Sequence, residues 1–387
     1  MKKIILRIIL AVICICFLSL PVFSSEYEFG AGEEYTDMYP EDEMDALISN
    51  LPEEVKNEIS DFIKARDDSD RYDALSDKLS FSYWVKYAAR EVKELFMPKL
   101  CDFAGMLCLI LSCAAVSHIS ALHSGGGGAG EICSLVVTLV SALSVTGAAS
   151  SAANLVESYI SRICAMMNAM LPVMNAVMIS SGTLTQMSVN SSALMLYITV
   201  TENIFRMILI PASGALLALS TVSGVFKKIN IGSFISSIKN IVTKALMFSM
   251  LIFSFILGVQ SSLARSADGL ASRTVKFVLG SSVPIVGGAV SEAITTVSSA
   301  LSLIRKMTGS IGIIIILLIV LPTLINLTLN RALFSLCRSV SELLGCDEMS
   351  RIISDADSVL AIFAGAAAVT AVLFVFAVTL FMNSGLT

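Results

Sequence analysis

Two sets of charged residues stand in otherwise apolar sequence, and each is of a type that could do chemistry at membrane depth. Glu202 and Arg206 are spaced i, i+4 within an apolar run, which puts a carboxylate and a guanidinium on one helix face. Charges in such a place are expensive and are expected to face a bundle interior or a water path, as a paired structural clamp or as part of a substrate or ion pathway. The second set lies in residues 268–288, DGLASRTVKFVLGSSVPIVGG. There Asp268, Arg273 and Lys276 run at helical spacing into Pro284, Gly287 and Gly288. Proline lacks an amide hydrogen and glycine accepts backbone angles that other residues resist, so the spacing predicts a helix break between two apolar runs. Irregular backbone at that depth needs protein or water to satisfy it, which makes these six residues a candidate interaction or passage motif.

Other combinations carry less. His118 and His123 are the two histidines, at i and i+5, without the HExxH spacing of a zinc site, and read as interface residues. The run Gly125 to Gly128 with Gly130 lacks the Lys-Ser/Thr of a phosphate loop and reads as a flexible hairpin between two membrane helices. Met166, Met167, Met170, Met174 and Met178 could offer soft sulfur ligands, but unbranched methionine is ordinary filler for irregular packing, and packing is the expectation. No Ser-His-Asp set, carboxylate dyad or cofactor fingerprint is present in the sequence, so neither an enzyme nor a cofactor is expected.

The elements that must position these residues follow from composition. Of 387 residues, 55% are hydrophobic and 15% charged, with a mean hydropathy of +0.81, far more apolar surface than one soluble core can bury. The expected class is an all-α, polytopic membrane protein. The net charge of −5 is unevenly spread: residues 26–80 hold 18 of the 31 acidic residues, and the remainder of the chain is mildly basic. A basic nucleic-acid surface is absent. The cysteines lie in or beside apolar segments and none falls in the acidic stretch, so a disulfide framework is not expected.

At the amino end Lys2, Lys3 and Arg7 precede an apolar run and then Ser24 and Ser25, the pattern of an export signal over residues 1–25. Residues 26–98 then form an acidic extracytoplasmic arm, and 99–387 the transmembrane domain. Within the arm, Val55, Ile59, Phe62 and Ile63 recur at helical spacing and predict short amphipathic helices, serving either as a binding arm or as a solvated spacer. Phe81, Tyr83, Trp84 and Tyr87, interleaved with Lys86, Arg90 and Lys93, predict a helix over 81–98 lying in the headgroup zone.

Six segments qualify as spans: 100–122, 132–153, 189–211, 245–263, 311–329 and 359–382. Threading from outside at residue 100 puts Lys227, Lys228, Lys239 and Lys244, and then Arg331, Arg338 and Arg351, in cytoplasmic loops, as the positive-inside bias expects. Two further apolar segments, 160–182 with Pro172 and 278–303 with Pro284, are expected to be broken, re-entrant or interfacial helices.

The 268–288 pattern, together with MLPVMNAVMISSGTLT at 170–185 and AVSEAITTV at 289–297, resembles the stage III sporulation protein AE family of endospore-forming bacteria. The likeness is densest from Cys164 onward. It implies a non-enzymatic subunit of a channel or secretion-like complex in the mother-cell membrane around the forespore. The implied partners are the other stage III A-group membrane proteins and the forespore-side stage II protein Q, with the arm facing the space between the two membranes. The competing reading is an independent secondary transporter, with Glu202 and Arg206 at its site and the two broken segments as gates.

Overall fold

The computed structural model describes residues 41–60, 78, 80–122, 129–225, much of 234–268, and 287–383, with the side chains of 287–300 not described. The expected signal segment, and Arg273, Lys276 and Pro284, lie outside the described residues. Every element described is a helix: α1 Glu41–Ser49, α2 Glu53–Glu58, α3 Phe81–Leu122, α4 Ala129–Ser180, α5 Leu184–Ile204, a π turn Phe205–Leu209, α6 Ile210–Val225, α7 Gly287–Leu343 and α8 Asp347–Met382. Six helices are long and apolar enough to cross a membrane, the fourth being Ser236–Ile256.

The helices are longer and less interrupted than the prolines led us to expect. The surface helix at 81–98 and the first span are one element, with Pro98 inside it. The second span and the 160–182 segment are likewise one helix of 52 residues that runs through Pro172. Neighbouring helices can satisfy a carbonyl freed by proline, so the ring need not end the element. The apolar segment expected to be broken is helical from Gly287, where its described part begins, and continues unbroken through Pro322 for 57 residues. That helix carries Arg331 and Arg338 well past the expected end of the fifth span, and Arg351 sits on α8, so those arginines belong to helices rather than to a loop. At 1.5 Å per residue α4 is about 78 Å and α7 about 85 Å long, more than twice the roughly 30 Å of bilayer hydrocarbon.

Glycines end two of these helices. Gly182 has φ 69° after α4 and Gly345 has φ 71° after α7. In each case the following residue's amide reaches back over the glycine, Thr183 to the Met178 carbonyl at 3.0 Å and Cys346 to the Ser341 carbonyl at 2.9 Å. This left-handed cap lets the chain reverse within three residues and yields antiparallel helix pairs. The π turn precedes Pro211, whose ring would crowd the Met207 carbonyl in a regular helix, and the widened turn accommodates it.

At the centre α7 and α8 pack antiparallel, with Ile313 to Val320 all buried. Two glycines allow the closest approaches. A Cβ on Gly312 would overlap the end of Met170, and one on Gly309 would lie 2.7 Å from Met382 Sδ. The methionine cluster Met166, Met167, Met170, Met174 and Met178 fills this core from α4. Tyr159, also on α4, donates its buried hydroxyl to the Ala367 carbonyl on α8 at 2.9 Å. Tyr197 of α5 packs edge-on to Phe374 and Phe253, at 5.0 and 4.6 Å between ring centres.

Candidate functional site

Asp268 is the one charged member of the 268–288 motif whose side chain is described, and it is buried. Its two carboxylate oxygens accept hydrogen bonds from the backbone amides of Thr185, at 3.2 Å, and Gln186, at 2.9 Å. These are first-turn amides of α5, which have no partner within their own helix, and a carboxylate also complements the positive end of the helix dipole. Thr183, the residue before α5, makes no side-chain cap, its hydroxyl being turned back to the Met178 carbonyl at 3.1 Å. The capping function is therefore supplied by a residue more than eighty positions away, which ties the stretch beyond the fourth span to the α4–α5 turn. Gly287 and Gly288 are the first described residues of α7.

Below the cap, Gln186 and Asn190 lie one turn apart on the buried face of α5. Ser191 donates to the Asn175 side chain on α4. Both amide atoms of Gln186 and the Asn190 nitrogen have no hydrogen-bond partner among the described residues.

Glu202 and Arg206 form an ion pair of 3.6 Å, but it faces outward. Their side chains are 42% and 63% exposed, beside the exposed Met207 and Ile208 on the π turn. Of the two expected placements, bundle interior or water path, the pair does not take the first. The buried stripe of α5 at Gln186, Asn190, Leu194, Tyr197 and Thr201 claims the inward face and turns position 202 away. On α4, Arg162 meets Glu54 of the arm at 3.6 Å.

The arm is docked on the bundle over residues 41–60. Met44, Leu47, Leu51, Val55 and Ile59 join the main apolar cluster together with Trp84 and Tyr87 of α3. The aromatic girdle expected in the headgroup zone is therefore largely covered. A polar clamp holds the contact: Glu58 accepts from the Tyr83 hydroxyl at 2.6 Å and from Arg90. Lys78 lies 4.8 Å over the Tyr83 ring, and Arg90 lies 5.1 Å from the Tyr87 ring centre.

A third polar constellation, on α7 and α8, was not singled out from the sequence. Arg331 grips Asp357 with two hydrogen bonds of 2.8 and 3.2 Å, its side chain 8% exposed. Nearer the turn, Arg338 bonds Glu342 at 2.8 Å and Ser354 at 3.2 Å, and Ser350 donates to Glu342 at 3.0 Å. Ser220 of α6 donates to Asp355 at 2.8 Å. The available signal was the acid-rich start of the last span, Asp355 and Asp357, placed so that a helical hairpin brings it opposite Arg331.

Long apolar helices, six of them long and apolar enough to cross a membrane, packed against one another define a polytopic helical membrane protein. The family model for stage III sporulation protein AE matches residues 73–385, and the chain belongs to that family. A curated relative, stage III sporulation protein AE of Bacillus subtilis (strain 168), is 25% identical over 218 residues, which cover 56% of this chain and 54% of the relative. The matched region spans about half the length of that relative. No solved structure matches the chain.

Proposed function

We propose that this protein is a membrane subunit of the channel or secretion-like complex that joins mother cell to forespore, acting without catalysis of its own. In this reading it resides in the mother-cell membrane around the forespore, the acidic arm lies between the two membranes, and the partners are the other stage III A-group membrane proteins and the forespore-side stage II protein Q. Membership in a sporulation family supports the setting.

The observation that carries the subunit role is the outward Glu202–Arg206 pair among exposed Met207 and Ile208. Charge set among large apolar side chains on an outer helix face is the composition of a contact surface. An independent secondary transporter with the pair at its site would need those groups turned inward, so the orientation favours the subunit over the transporter. Co-purification from sporulating cells tests the proposal. The intact protein is expected to bring down stage III A-group proteins, and Arg206→Glu to be present at similar abundance with that association reduced. Recovery of the intact protein without any of those partners would count against the role.

A further inference from the structure

Cys113 fixes α3 and α4 to one depth in the bundle, its sulfur lying 3.8 Å from Thr138 Oγ1. Tyr159 of α4 bonds Ala367 of α8, and Gly312 and Gly309 of α7 approach Met170 of α4 and Met382 of α8, so α4 and α8 run in the same direction and Cys346, in the α7–α8 turn, lies at about the depth of Thr138. At this depth α3 and α4 present a lipid-like surface: Leu111, Leu139, Val140 and Leu143 are exposed, Leu139 at 44%. No Asp, Glu, Lys or Arg occurs in 103–122 of α3 or 132–156 of α4.

The α7–α8 hairpin at the same depth is charged. Arg338 and Glu342, eight and four residues before Cys346, have side chains 50% and 49% exposed, and Arg351 on α8 is exposed as well. Four to eight residues correspond to about 6–12 Å of helix, so this edge stays within the reach of the hydrocarbon that the α3–α4 face requires. Arg331–Asp357 and Ser220–Asp355 continue the polar track further along the same hairpin. A charged side chain facing acyl chains within the bilayer is strongly disfavoured, so the two flanks cannot both face lipid.

We propose that the Arg338–Glu342–Arg351 edge lines a hydrated passage within the membrane, open on the side where the α7–α8 turn lies, while the α3–α4 face meets lipid. This deepens the channel-complex reading and rests on it, by naming the flank along which water and small hydrophilic solutes would run. Both signs of charge are present on the edge, so it is suited to hydration more than to selection for one ion.

The test uses the full chain in native membranes with Cys101, Cys108 and Cys133 replaced by serine, adding Ser339→Cys on the charged edge or Leu139→Cys on the apolar face. A charged, membrane-impermeant methanethiosulfonate is applied to right-side-out and inverted vesicles, with the chain lacking either added thiol as the blank. The thiol introduced by Ser339→Cys is expected to react at least about tenfold faster than that of Leu139→Cys from one side, because entry of a charged reagent into hydrocarbon costs more than 1.4 kcal/mol. A fluorophore attached to the Leu139→Cys thiol is expected to be quenched by nitroxide-labelled lipid. If the Ser339→Cys thiol resists the charged reagent while the fluorophore on the apolar face is quenched, the edge is sealed by protein and the passage is overturned with the subunit role intact. If that fluorophore is not quenched and the Leu139→Cys thiol reacts as fast as the one on the charged edge, this depth lies outside the bilayer, and the passage fails together with the membrane placement.

Discussion

Asp268 and Gln186, 82 residues apart, meet through a 2.9 Å hydrogen bond from the Gln186 backbone amide to the Asp268 carboxylate. Through it, a residue beyond the fourth span completes the first turn of α5. A side chain that caps a helix from a distance also holds two parts of the chain together, so its loss affects local helix stability and tertiary register at once.

Asp268→Ala is expected to lower the stability of the detergent-solubilised protein by about 0.5–2 kcal/mol, the usual worth of a lost cap, with Asp268→Asn milder because one oxygen acceptor survives. Thermal unfolding followed by circular dichroism reads this. Equal losses for the two variants would mean that charge, rather than capping geometry, carries the contact.

Arg331 and Asp357 are paired with the guanidinium almost fully buried. Removing one partner strands the other, so Arg331→Ala or Asp357→Ala is expected to cost about 3–5 kcal/mol and to lower membrane abundance sharply. The double change to alanine should cost clearly less than the sum of the singles. Quantitative blotting of the membrane fraction for the four proteins gives the comparison, and strictly additive losses would contradict the pairing.

The Gly312 approach to Met170 leaves no room for a methyl group. Gly312→Ala is expected to cost about 1–3 kcal/mol by overpacking, and Met170→Ala added to it should recover part of the loss. A double variant no more stable than the worse single would show that α7 and α4 had separated instead of repacking. Gly309→Ala should behave similarly, with relief from shortening Met382.

Because the Glu202–Arg206 pair faces away from the bundle, its removal should leave the packing of the single chain intact. Glu202→Ala, Arg206→Ala and the double change are therefore expected to accumulate to near-normal levels, with the defect showing in complex assembly and in heat-resistant spore counts. A collapse in abundance for the single variants, repaired in the double, would place the pair in a packed interior after all.

How much of this was legible in sequence varies from element to element. The apolar runs at 311–329 and 359–382 and the shortage of charge within them determined a helical membrane protein with six candidate spans, because a bilayer demands about 20 apolar residues and satisfied backbone. Gly182 ends α4 with a positive φ, since glycine's freedom is a local property. Pro98 and Pro172 misled, because whether a proline ends a helix depends on which neighbours take up the freed carbonyl.

Tertiary structure alone decided the rest. The i, i+4 spacing of Glu202 and Arg206 established that they share a face, but which way that face points was set by the packing of Leu194, Tyr197 and Thr201 against the bundle. Asp268 read as one charge among several at helical spacing until the fold carried it to the open amides of α5. Arg331 read as a loop cation until the Gly345 turn folded Asp357 back against it. Local pattern specifies which groups a helix presents, whereas a partner at long sequence separation exists only once the hairpins have closed.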